Sequence, residues 1–196
     1  MTLNALDSLN GVGGTDTLNV QLADIAAPTA ITARALNNIE IVNVTSLDDN
    51  TDAWTVNLTN APQVTSVSNV SSTGDVIVSE IAAGAALAVT EVASRATDFE
   101  YATTTGASDS AALSINAVTG AADALITING IETVAVTASG SASTVQLGFD
   151  SANTITFAGS VAQTITLEAG TVNTELFDGS QATGALDLTV IDQTGA

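Results

Sequence analysis

Short runs of alternating apolar and polar residues recur along the chain, separated by Gly, Ser, Asn, Asp and Thr. Alternation with a period of two is the pattern of a β-strand that buries one face. The second half shows it most clearly, because Ile155 and Ile165 are 10 positions apart and Leu176 and Leu186 are again 10 apart. Short strands at such even spacing are typical of a sandwich, a barrel or a solenoid. The chain is therefore predicted to be all-β.

A weak internal duplication divides the chain into two similar halves. Asn38–Thr45 (NIEIVNVT) matches Gly130–Thr137 (GIETVAVT) at an offset of 92 residues, and Asp16 precedes the first copy as Asp109 precedes the second. We assign residues 1–104 to a first β-rich half and residues 105–196 to a second. Neither half has capping signals of its own, so we expect them to stack in one continuous body.

The ionisable side chains are few and almost all acidic. The 196 residues include 21 Asp or Glu and two Arg, with no Lys, His or Cys, for a net charge of −19. Without imidazole or thiol groups, the chain has no His base, no Cys nucleophile and no His or Cys metal ligand. The negative charge argues against nucleic acid and anionic membranes as partners, and no apolar run reaches transmembrane length. Composition therefore favours a structural protein over an enzyme.

Carboxylates and backbone carbonyls are the ligands that Ca²⁺ prefers, and three places in the sequence could supply them. The first is the segment from Gly11 through Gly14 to Asp16, which is close to the Ca²⁺-binding nonapeptide G-G-x-G-x-D-x-U-x. A Gly-rich turn that opens a strand is an equally good interpretation. The second is the acidic loop with Asp48, Asp49 and Asp52, which also fits a solvated turn. The third is a pair of aspartates near strand ends, Asp150 and Asp178, where Asx turns are the alternative.

Two other patterns have a structural explanation that we prefer. Glu40 and Glu132 could form the carboxylate pair of a glycosidase, but each belongs to a separate copy of one repeat, which favours a structural role. The Thr-x-Thr runs at Thr154–Thr156 and Thr164–Thr166 could form a flat threonine grid that binds ice. Thr is also the commonest solvent-facing residue of strands.

Four segments resemble recurring phrases of bacterial surface-layer proteins and of large Ca²⁺-dependent RTX-type proteins, which Gram-negative bacteria export by type I secretion. The segments are Gly11–Val20 (GVGGTDTLNV), Asn38–Ser46 (NIEIVNVTS), Gly130–Ala138 (GIETVAVTA) and Phe177–Thr189 (FDGSQATGALDLT). The resemblance implies a β-rich building block, Ca²⁺ as a structural cofactor, and self-assembly outside the cell. It assigns Asp16 to a Ca²⁺ position and Gly11 and Gly14 to the turn glycines, while Val12 departs from the pattern.

Together, pattern and resemblance predict an all-β, irregular right-handed parallel β-solenoid of roughly 20–30 residues per turn, with tandem β-sandwich modules as the alternative. Its handedness follows from the resemblance alone. The expected function is a structural segment of a self-assembling layer or matrix at the bacterial cell surface, with calcium stabilising or assembling it. The alternative is a module of a large secreted adhesin that binds a glycan or surface ligand. We expect a piece of a larger protein that associates with its own copies, with a cell-surface polysaccharide as a second candidate partner.

Overall fold

The computed structural model describes residues 8–23, 30–47, 53–106, 108–120, 124–168 and 174–191, which form 18 β-strands numbered in chain order. A small sheet pairs β1 (Ser8–Asn10) with β4 (Ala35–Asn37). Sheet 1 contains β2 (Thr17–Leu22), β5 (Ile41–Ser46), β7 (Ser66–Val70), β9 (Ala86–Thr90), β11 (Ser110–Asn116), β13 (Thr133–Ala138), β15 (Thr154–Gly159) and β17 (Leu176–Ala182). Sheet 2 contains β3 (Ile31–Thr32), β6 (Trp54–Asn57), β8 (Val76–Ile81), β10 (Thr97–Tyr101), β12 (Leu125–Ile128), β14 (Ser143–Gly148), β16 (Gln163–Leu167) and β18 (Leu186–Val190).

The chain alternates between the two sheets, so that one strand from each makes a rung and successive rungs stack in parallel. This arrangement is a parallel β-solenoid of about 7 turns, which confirms the predicted fold. The alternative of tandem sandwich modules is wrong, because sandwiches are built from antiparallel strands and every strand pair in sheets 1 and 2 is parallel. Ser143 pairs with Gln163 20 positions later, and Thr97 pairs with Ile126 29 positions later. Turn length is thus irregular within the predicted range.

Aliphatic side chains form ladders between the sheets, because inward positions of neighbouring strands are in register. One ladder in sheet 1 runs through Val42, Val67, Leu87, Leu113, Val136 and Phe157, and all six side chains are buried. In sheet 2, Phe99 lies between Val78 and Ile128. Each rung is too small to bury its own apolar face, so stability comes from stacking on its neighbours.

Left-handed residues form the corner where the chain leaves sheet 1. Ser71, Glu91 and Ala117 have φ between 50° and 54°, and Gly140 has φ 65° at the same point of a later rung. These corners are held together from rung to rung, since Ser71 N donates to Thr90 O and Glu91 N donates to Asn116 O, both at 2.9 Å. These sharp bends turn the chain from sheet 1 toward sheet 2. Both sheets also continue without interruption across residues 104 and 105.

Candidate functional site

The Gly-rich segment before β2 packs directly against the Asp16 carboxyl group. A Cβ atom placed on Gly11 would overlap Asn38 O and would lie 2.6 Å from the Asp16 Cβ, so only glycine fits there. Gly14 has φ 115°, a conformation that favours glycine. Val12 stands where the nonapeptide pattern has glycine, yet it has φ 72° and an exposed side chain. A β-branched residue is strained in that conformation. The loop therefore has positive φ at both Val12 and Gly14, although only the second of these is glycine.

Asp16 is joined to Glu40 of the next rung, and the same junction occurs at Asp109 and Glu132. Asp16 N donates to Glu40 Oε2 at 2.8 Å, and Asp109 N donates to Glu132 Oε2 at the same distance. In both copies the aspartate carbonyl oxygen accepts two backbone N–H groups from the next rung, at 3.0–3.2 Å. We call each pair an Asp–Glu corner. Each glutamate therefore has the structural role that its repetition suggested.

Each Asp–Glu corner contains one carboxylate oxygen without a partner. Asp16 Oδ2 and Asp109 Oδ2 are buried and form no hydrogen bond with the protein. A buried, unpaired carboxylate oxygen is costly, and a hard cation is one group that could satisfy it. The donor set therefore suits Ca²⁺, although one corner supplies only two carboxylates and Ca²⁺ takes about six to eight oxygens. Asp16 and Glu40 would hold the ion in one copy, and Asp109 and Glu132 in the other, together with further oxygen ligands.

Two of the remaining predicted metal ligands, Asp150 and Asp178, accept hydrogen bonds from backbone N–H groups. Asp150 Oδ1 accepts a 2.6 Å hydrogen bond from Gly130 N in the preceding rung. Asp178 Oδ1 accepts from Ser180 N at 2.8 Å, which is an Asx turn, and this backbone N–H lowers the pKa of the Asp178 carboxyl. Asp48, Asp49 and Asp52 lie outside the described residues. Among the residues that the structure describes, no three acidic, His or Cys side chains converge to hold a metal.

A groove of about 280 Å³ lies beside Asp109, lined by residues that include Tyr101, Thr103, Ser110 and Ile131. The Tyr101 hydroxyl donates to Ala85 O at 2.8 Å, and burial raises the pKa of Tyr101 to about 12. Tyr101 is therefore a neutral hydrogen-bond donor at physiological pH. Its hydroxyl proton is already donated within the fold, so Tyr101 ties the end of β10 to the turn that precedes β9.

The last rung leaves core positions exposed. Phe177 and Val190 occupy the inward positions that follow Ile155 and Leu167, yet they are 37% and 48% exposed while the earlier residues are fully buried. Strands β17 and β18 also end sheets 1 and 2, so one edge of each is unpaired within the described chain. At the other end, Val20 and Leu22 of β2 are buried. We call the surface formed by β17 and β18 the open end.

Charge is divided between the outer faces of the two sheets, a feature that the sequence analysis missed. Sheet 2 carries Glu80, Asp98, Glu100 and Asp187 on its strands. Burial raises the pKa of Glu100, and the negative charges of Asp98 and Glu80 raise it further. The outward positions of sheet 1 from β2 to β15 are all uncharged. The alternation within each strand shows which residues point outward. The division of charge becomes visible only when it is known which strands share a sheet.

Comparison with known proteins gives no relative. No family model, no curated protein and no solved structure matches the chain. Among the described residues, none forms a helix that is long and apolar enough to cross a lipid bilayer.

Proposed function

We propose that this chain is a structural segment of an extracellular bacterial assembly, such as a surface layer, in which copies associate with one another. The resemblance of Gly11–Val20 and Asn38–Ser46 to surface-layer phrases carries the proposal, together with a parallel β-solenoid whose stability comes from stacked rungs. The last described rung leaves Phe177 and Val190 exposed, so a further rung, of the same chain or of another copy, can pack on it.

Calcium has a structural role in this proposal. The two Asp–Glu corners link successive rungs, so an ion bound there would stabilise the stack and neutralise part of the net charge of −19. Self-repulsion opposes both folding and association of such an acidic chain. A cation that binds the folded state only would shift both equilibria toward the assembled protein.

An aspartate at position 177 tests the role of the open end. We expect Phe177→Asp to weaken self-association of the full chain at least tenfold, because it places a charge where a further rung would pack. The measurement is sedimentation velocity over a range of protein concentrations. Leu47→Asp is the matched control, since Leu47 is similarly exposed at 45% but lies far along the chain from the open end.

Two results would contradict the proposal. Equal association of the Phe177→Asp variant and the unmodified chain would remove the open end from assembly. A chain that stays monomeric at every concentration, and instead binds a glycan, would favour the adhesin alternative. Circular dichroism of each variant confirms that the β-structure is intact.

A further inference from the structure

The outward positions of sheet 1 on β2 to β15 carry uncharged side chains, most of them Ala, Ser or Thr, and we call them the neutral face. Register places Asn19, Asn43, Ser68, Ala88, Ser114, Thr137 and Ala158 in one row across the sheet. A second row contains Thr17, Ile41, Ser66, Ala86, Ala112, Ala135 and Thr156. Within the first row, Asn43 Nδ2 donates a hydrogen bond to Asn19 Oδ1 at 2.9 Å. The first carboxylate of the second row is Asp178, in the last rung.

A face without charge is unexpected on a chain that carries 21 carboxylates. The strands of sheet 2 place four carboxylates in the described part of the chain, close enough at Glu80, Asp98 and Glu100 for their charges to affect one another. Two copies that approached through sheet 2 would bring those like charges together, which is unfavourable. Two copies that approached through the neutral face would bring together only uncharged strand positions, with Glu91 and the carboxylates of the Asp–Glu corners at its borders. Charge repulsion therefore favours contact between copies through the neutral face over contact through sheet 2.

The neutral face is also large enough for a specific contact. Seven strands about 4.8 Å apart, with about five residues of roughly 3.3 Å each, cover about 30 Å by 16 Å. Two such faces in contact bury roughly 1,000 Å² in total, which is the size at which specific protein interfaces begin. Small outward residues such as Ala88, Ala112 and Ser114 allow two sheets to approach closely.

From these observations we infer that a second copy of this chain packs face to face on the neutral face, burying sheet 1 between the two bodies. The inference rests on the proposed self-association and specifies a lateral contact, distinct from the open end. A cationic partner would be drawn to the carboxylates of sheet 2 instead, so the neutral face fits a partner as acidic as the chain itself. Molecules joined end to end through their open ends would thus also be paired side by side through their neutral faces.

Two substitutions with the same charge change test the contact. Ser114→Glu places a carboxylate near the centre of the neutral face, and Gln146→Glu places one at an outward position of sheet 2. Sedimentation velocity should show at least tenfold weaker association for Ser114→Glu, because two buried like charges would face each other. Gln146→Glu should associate as the unmodified chain does.

Spin labels measure the geometry directly, since the chain has no native cysteine. Labels on Ser114→Cys should give distances between copies of about 20 Å or less, as expected for sheets packed roughly 10 Å apart, whereas labels on Gln146→Cys should give none that short. Association that persists in Ser114→Glu, with distant labels at position 114, would overturn the neutral-face contact while leaving self-assembly intact. A monomeric unmodified chain would overturn both. If the label at position 114 responded only to added polysaccharide, the face would belong to a glycan and the inference would be wrong.

Discussion

Replacing Phe99 by alanine is expected to reduce the free energy of unfolding by about 3–5 kcal/mol, the range typical of Phe-to-Ala changes in protein cores. The Phe99 side chain is fully buried and lies in register with Val78 on one side and Ile128 on the other. Both neighbouring strands are fixed by the rungs beyond them, so the structure cannot collapse into the cavity. Urea denaturation followed by circular dichroism measures the change.

The matched control for Phe99→Ala is Thr55→Ala, an outward position of the same sheet. Its side chain is partly exposed, so removing it should change stability by less than about 1 kcal/mol. A loss below about 1 kcal/mol for Phe99→Ala would contradict the position of Phe99 in the core. A broader urea transition at an unchanged midpoint concentration would indicate that groups of rungs unfold separately.

Replacing Gly159 by alanine is the second change with a large expected effect. Gly159 has φ 118°, and a Cβ atom there would overlap the backbone oxygen of Ala138 in the preceding rung. The Gly159 carbonyl also accepts hydrogen bonds from Thr183 N at 2.8 Å and Gly184 N at 3.1 Å. The backbone would have to move and would disturb this corner, so we expect a loss of at least about 2 kcal/mol, more than the φ penalty alone.

Gly84→Ala separates the cost of a positive φ from the cost of steric overlap with a neighbouring rung. Gly84 has φ 79°, but nothing lies within 4 Å of a Cβ atom placed there. The free energy of unfolding of this variant should fall by only about 1–2 kcal/mol, the cost of placing alanine at positive φ. Hydrogen exchange should show that Gly159→Ala loosens β13, β15 and β17, while Gly84→Ala leaves them protected. Equal losses in both variants would contradict the close approach of Gly159 to Ala138.

The fold could be predicted because its main signal is local. Alternation within runs such as Thr154–Phe157 marks strands, and the spacing of 10 residues between Ile155 and Ile165 is about half of the shortest turn. The same spacing excludes a single threonine grid. Thr154–Thr156 belongs to sheet 1 and Thr164–Thr166 to sheet 2, which agrees with the preferred interpretation of these residues as solvent-facing strand positions. Runs that are one half-turn apart lie on different faces, so only every second run can share a surface.

The candidate site was less accessible to sequence reasoning because its contacts join different rungs. Asp16 meets Glu40 24 positions later, and Asp109 meets Glu132 23 positions later. Since turn length varies, the partner of a given carboxylate cannot be read from a fixed spacing. The duplication brought all four residues to attention, but only the structure shows that each aspartate is paired with a glutamate and retains a buried oxygen without a partner.

The two proposed contacts have different physical origins. The open end exposes the apolar side chains of Phe177 and Val190 at inward positions of the last described rung, so a contact there would bury apolar surface. The neutral face depends on which residues occupy the outward positions of sheet 1, and those residues could be charged without changing the core. An assembly in two directions requires both contacts.

Sedimentation velocity of the unmodified chain, with Ca²⁺ and again with EGTA, tests the central claim most directly. Negative-stain microscopy of the same samples shows whether any large species is ordered. The account predicts concentration-dependent assemblies that are larger and ordered in Ca²⁺, and smaller once the cation is removed. A single monomeric species under both conditions, at every protein concentration, would contradict it.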